Sequence, residues 1–162
     1  MYFKFLKQIS EVSCQQWNAV TGKDYPFLRY EFLLALEQSA CVLPEQGWQV
    51  HHLVIEQAQQ IIAIMPLYLK QHSYGEFVFD HVWADAYHRN GLEYYPKLVN
   101  AIPFTPCNGP RIAVKNVQLD QIAPIVADVL QQETARLNAS SWHCLFPDHT
   151  QLNFWQQTGA DQ

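Results

Sequence analysis

Residues 80–88 read Asp-His-Val-Trp-Ala-Asp-Ala-Tyr-His, which spaces Asp80, His81, Asp85 and His88 as D-H-x3-D-x2-H. Carboxylates and imidazoles set this closely have two chemical uses. They can hold a divalent cation, or they can move protons. No ligand motif matches the spacing and Trp83 interrupts it, so a metal is not required. Proton transfer is the better use, because Phe79, Trp83 and Tyr87 would strip water from a neighbouring acid or base and push its pKa toward neutrality. The bland reading has Asp80 capping a helix and His81 satisfying a nearby backbone group.

Around this core the stretch 73–98 keeps alternating aromatic and ionisable groups. Tyr68 and Lys70 close an apolar run just before it, and Tyr94-Tyr95-Pro96-Lys97 closes it. Lys97 and Lys70 could meet an anionic ligand, or could snorkel to water. A second unusual segment is Phe104-Thr105-Pro106-Cys107-Asn108-Gly109-Pro110-Arg111. Its prolines and glycine oppose regular pairing, so its backbone N–H groups are expected to splay toward a carbonyl or pyrophosphate, with Arg111 adding a forked cation. Neither a GxGxxG nor a Walker sequence accompanies it.

The elements that must position these groups follow from periodicity and punctuation. Residues 2–9 read as a strand. A helix is expected over 11–20, capped by Ser10 and stopped at Thr21-Gly22, and a second from Pro26 through residue 40. Residues 48–56 and 61–69 read as paired strands joined by a turn at 57–60. Pro66 inside the second marks a bulge or local edge. A strand over 76–80, short helices over 82–90 and 92–101 and a broken strand over 104–114 come next. A long helix over 119–137 is capped by Asp120, a strand covers 141–146, and Asp148 caps a last helix. This order predicts an α/β chain: one mixed sheet with helices on both faces.

Composition narrows the function classes. The 162 residues fit a single domain, 1–162, and at 49% hydrophobic and 15% charged the chain can bury a core. A net charge of −5 with scattered Lys and Arg argues against DNA. Cys14, Cys41, Cys107 and Cys144 form no CxxC pair and are expected to be reduced thiols. There is no signal-like run and no window long enough to span a membrane, so a cytoplasmic location is expected.

The segments PFLRYEFLLALEQS, GWQVHHLVI, MPLYLKQHSYGEFVFDHVWADAY, YYPKLVNAIPFTPCNGPRI and SSWHCLFP resemble the FemAB-like predicted N-acyltransferases of the wider GNAT superfamily, from about Trp17 to Phe146. These are bacterial proteins often labelled peptidoglycan biosynthesis or recognition proteins. The resemblance implies a GNAT-like fold in two tandem domains, of which this chain would be the first. The second, to which the acyl donor is generally assigned, would be absent. It implies transfer of an acyl or aminoacyl group to an amine, with a peptidoglycan precursor as candidate acceptor and acyl-CoA as candidate donor. It carries no established catalytic residues. The matching positions are Tyr68, Lys70, Tyr74, Glu76, Asp80, Asp85, Tyr87, Tyr95, Lys97 and Arg111, which are expected to line a cleft. Asp80 or Asp85 would be the base, with His81 a weaker candidate, and Lys70, Lys97 and Arg111 would hold an anion. A non-catalytic binding module and an inactive remnant of such a transferase are the alternatives.

Overall fold

The computed structural model describes residues 1–157. The last residues of the expected domain, 158–162, lie outside them. Eight strands form two four-stranded sheets rather than one. Sheet A holds β1 (Tyr2–Leu6), β3 (His52–Gln57), β4 (Gln60–Met65) and β7 (Ala113–Val114), in the order β1-β3-β4-β7 and antiparallel throughout. Sheet B holds β2 (Trp48–Val50), β5 (Tyr68–Lys70), β6 (Lys97–Asn100) and β8 (Trp142–Cys144), in the order β2-β5-β6-β8. Its first two pairings are antiparallel, and β6 runs parallel to β8.

The two sheets arise because each strand of the expected hairpin is broken and passes from one sheet to the other. Pro66 has no N–H and cannot continue the ladder. At that point the His51 N–H donates to the Leu67 carbonyl at 2.9 Å and the Leu67 N–H donates to His52 Nδ1 at 3.2 Å. Both chains therefore bend together, and the pairing resumes in sheet B. Asn100, at the end of β6, secures the bend by donating to the Pro66 carbonyl at 2.6 Å and to the Arg111 carbonyl at 2.9 Å.

Helices cover both faces of sheet A, as the sequence pattern predicts. On one face α1 (Cys14–Thr21) and α2 (Tyr30–Gln38) pack Trp17, Val20 and Leu33 against Val54 and Ile64. On the other, α4 (Leu119–Arg136) and α5 (His149–Gln157) pack Val126, Leu130, Phe154 and Trp155 against Leu53, Ile55 and Met65. The alternation of Leu53, Val54 and Ile55 between these two cores is the period-2 geometry of a strand covered on both sides.

Several local expectations differ. Ser13, not Ser10, caps α1: it accepts from the Gln16 N–H at 3.2 Å, and Gln16 returns a bond to the Ser13 N–H. The expected second helix divides into a turn at Pro26–Leu28 and α2, because Arg29 between them is extended. Gln118 rather than Asp120 caps α4 through a capping box with Gln121. Asp148 does cap α5, accepting from the Gln151 N–H at 2.9 Å.

Residues 76–80 are not a strand, and the expected helix over 92–101 is instead an irregular segment leading into β6, a central strand whose four residues are all buried. Flanked by β5 and β8, this segment gains ladder bonds on both sides that no isolated helix of ten residues could match. Between β5 and α3 (His81–Arg89), residues 71–80 cross the end of sheet B as an irregular strap. No described helix is long and apolar enough to cross a membrane.

Candidate functional site

The pairing of β5 with β6 sets Lys70 directly opposite Lys97, and the pairing of β2 with β5 sets Trp48 opposite Lys70. Directly paired residues project from the same face of a sheet. One indole and two lysines thus form a row across three strands. Both lysines are fully buried, at 0% and 1% exposure. Lys70 Nζ lies 3.5 Å from the centre of the Trp48 ring and donates to the Tyr74 carbonyl at 3.1 Å.

The strap supplies the opposite charge. Glu76 accepts from Lys97 Nζ at 2.9 Å, and Asp80 Oδ2 accepts from the same ammonium at 2.5 Å. Asp80 Oδ2 also takes the hydroxyls of Ser73 at 2.8 Å and Tyr94 at 2.9 Å, while Tyr95 bonds Ser73 at 2.7 Å. Among the described residues, three polar atoms of the cluster are buried without a hydrogen-bond partner: Glu76 Oε1, Asp80 Oδ1 and Trp48 Nε1.

These surroundings spread the proton affinities. Burial lowers Lys70 to about 7, with Glu76 opposing the shift and Lys97 adding to it. Burial raises Glu76 above the usual carboxylate range against the pull of Lys97. Burial acts the same way on Asp80, but the donors Lys97, Ser73 and Tyr94 outweigh it and hold Asp80 low. Burial, and then Asp80, push the Tyr94 hydroxyl up. Burial brings His143, on β8, down to about 4, with Lys97 reinforcing.

The expected site residues thus divide. Glu76, Asp80, Lys97 and Tyr95 meet in one network through Ser73, Lys70 stands beside it on the Tyr74 carbonyl and the Trp48 ring, and Tyr68 packs edge-on to Trp48 at 5.2 Å behind it. Tyr87 stands half-buried against Tyr94 at 5.2 Å. Tyr74 contributes its carbonyl, while its ring is exposed. Asp85 and His81 are both exposed on α3, a helix with no buried residue, and neither shares a hydrogen bond with the cluster among the described residues.

Arg111 is fully buried elsewhere. It donates to the carbonyls of Leu145, Pro110 and Cys107 and to the Tyr25 hydroxyl, so its fork holds the 104–111 loop in place. Nor do the N–H groups of that loop splay outward. Those of Phe104, Thr105, Cys107 and Gly109 donate to Gly75, Ile102, Thr105 and Phe146.

Ser73, Tyr94, His143 and Trp48 belong to the cluster and carry no signal of their own in the sequence. Trp48 aligns with Lys70 only through strand register. Two shallow hollows, about 310 and 460 Å³, lie away from the cluster, the first beside Gln16 and Lys115 and the second beside Asp120 and His149.

A mixed α/β unit with a buried cation–carboxylate cluster at one sheet's end is the class that fold and site define. The FemAB-like family, described as peptidoglycan biosynthesis/recognition, matches residues 8–162. The chain belongs to that family. No curated protein and no solved structure matches it.

Proposed function

We propose that the chain is the acceptor-binding unit of an N-acyltransferase that moves an acyl or aminoacyl group to an amine of a peptidoglycan precursor. The family supports the cell-wall setting. Helices on both faces of sheet A and the parallel β6–β8 pair are compatible with a GNAT-like first domain, whose acyl donor a second domain would bind. The observation that carries the reading is buried Lys97, paired with Glu76 and Asp80, directly across the strand from buried Lys70. Two lysines on one face can anchor an anionic group of the precursor. A carboxylate beside them can take the proton that an attacking amine must lose.

Glu76 suits that second task better than Asp80. Its pKa is raised and Oε1 has no partner, whereas three donors hold Asp80 in its ionised form. In this reading Asp80 pairs with Lys97 until the acceptor binds, and Asp85 and His81, wet on α3, take no part in the proton transfer.

Titration calorimetry with a muropeptide precursor and, separately, with coenzyme A tests the assignment. Binding of the precursor and loss of that binding in Lys97→Met are expected. Binding of coenzyme A alone would refute an acceptor role.

A non-catalytic recognition module is the second reading. It is favoured by Lys97 being neutralised within the chain. Transfer of a labelled acyl group to a precursor amine, abolished by Glu76→Gln, would exclude it.

A further inference from the structure

We propose that residues 71–80 are a displaceable strap whose Glu76 and Asp80 occupy a phosphate- or pyrophosphate-binding site built by Lys70, Lys97 and Trp48. The inference deepens the proposed function, since it rests on the lysine pair as an anion site, but it does not depend on the transfer chemistry.

Four observations converge on it. First, like charges directly opposite on neighbouring strands are destabilising, and removing each from water costs several kcal/mol. An apolar pair would fill the same space more stably, so packing alone does not account for two lysines there. Second, both strap carboxylates pair with Lys97, while Lys70 has only the Tyr74 carbonyl and the Trp48 ring face. An anion with oxygens on two phosphorus atoms can bond both amines at once.

Third, the carboxylates fit incompletely. Glu76 Oε1 and Asp80 Oδ1 are buried without donors, and Trp48 Nε1 is buried without an acceptor. Phosphate oxygens on the lysine row would leave those two carboxylate oxygens free to meet water and could accept from the indole. Fourth, the strap is irregular and partly exposed. Its outward Phe77 and Phe79 are 55% and 85% exposed. It also has two left-handed points that can turn, Gly75 at φ +80° and Phe77 at φ +59°. Gly75 passes so close to Phe104 that an added Cβ would lie 2.6 Å from the ring, so the strap rests directly on the neighbouring loop in the closed state.

The exchange involves no covalent step. The anion bonds Lys97 Nζ and Lys70 Nζ, the Tyr74 carbonyl releases Lys70, and Glu76 and Asp80 move to solvent beside the bound group.

The test is calorimetric titration with inorganic pyrophosphate, paired with hydrogen exchange read on peptides covering 71–80. Glu76→Gln removes one internal competitor while keeping its shape. It is expected to bind pyrophosphate about tenfold or more tightly than the wild-type chain, as for one charge-assisted hydrogen bond. A gain in affinity cannot come from misfolding. Adding Lys97→Met to that variant should abolish the binding. Saturating pyrophosphate should speed exchange across 71–80 in the wild-type chain.

A folded Glu76→Gln protein that binds no more tightly than wild type overturns the proposal. So does saturation that leaves exchange of 71–80 unchanged. Competition arms with coenzyme A and with a pyrophosphate-linked muropeptide identify the source of the anion. If neither competes, the pair takes an adventitious ion only and the proposal falls. Strap exchange with pyrophosphate but no binding of the muropeptide precursor would sink the proposed function alone, while precursor binding with an immobile strap would sink this inference alone.

Discussion

Replacing Lys97 by Met should destabilise the chain more than any other single change in the cluster. The side chains of Lys97, Glu76 and Asp80 are 1%, 0% and 5% exposed, so the substitution leaves two carboxylates buried without their shared cation. Each already has one oxygen without a donor. Breaking a buried ion pair from one side costs about 3–5 kcal/mol. For a chain of this size, each kcal/mol lowers the melting temperature by roughly 2–4 °C. A fall on the order of 10 °C in calorimetry is therefore expected, with a matching drop in the urea midpoint.

The companion variant decides the cause. Lys97→Met combined with Glu76→Gln and Asp80→Asn removes the stranded charges and should recover about half of the loss, because residues sharing one network are not additive. Lys97→Met within about 1 kcal/mol of wild type, or a triple variant worse than the single, would falsify the buried network.

The remaining predictions concern the scaffold. Burial lowers His52 from 6.5 to about 3, so the folded chain keeps it neutral while the unfolded chain takes up a proton below 6.5. Its contribution is complete above pH 6.5 and is lost as the pH falls toward 3, by at most about 1.4 kcal/mol per pH unit. Burial shifts His51 and His143 the same way, so urea midpoints should fall from pH 7 to pH 5, less steeply in His52→Asn. Gln151→Ala should cost about 2–3 kcal/mol in urea unfolding, since Gln151 accepts from the Arg111 and Ile112 N–H groups at 2.6 and 3.0 Å and donates to the Ile112 carbonyl at 2.7 Å. Gly75→Ala should destabilise the chain and speed exchange of 71–80, because the new methyl meets Phe104 on a backbone of positive φ. Asp85→Asn, on exposed α3, should change stability by less than about 0.5 kcal/mol.

The cluster was half legible. Lys70, Glu76, Asp80 and Lys97 stand out as charges set among aromatics, and that contrast is local. That Asp80 is buried while Asp85, five residues on, is wet follows from α3 lying on the surface with none of its residues fully buried, which no spacing rule reports. Arg111 looked like a free fork because its loop is irregular. Its donors are instead consumed by carbonyls at Cys107 and Leu145, which only the folded chain brings within reach. The loop N–H groups were misread for the same reason, since unpaired by local pattern is not unpaired in space.

By itself the sequence determined the element types with strong periodicity: the paired strands at 48–56 and 61–69, the long helix α4 and the Asp148 cap. It also marked Pro66 as a bulge or local edge, because a missing N–H is a purely local fact. Tertiary structure decided the rest. It divided one expected sheet into two, turned the stretch around Lys97 from helix to central strand, and set Lys70 against Lys97. Strand partners and register depend on residues distant in the chain. A lysine's charge becomes a demand for an anion only once those partners have taken its water away.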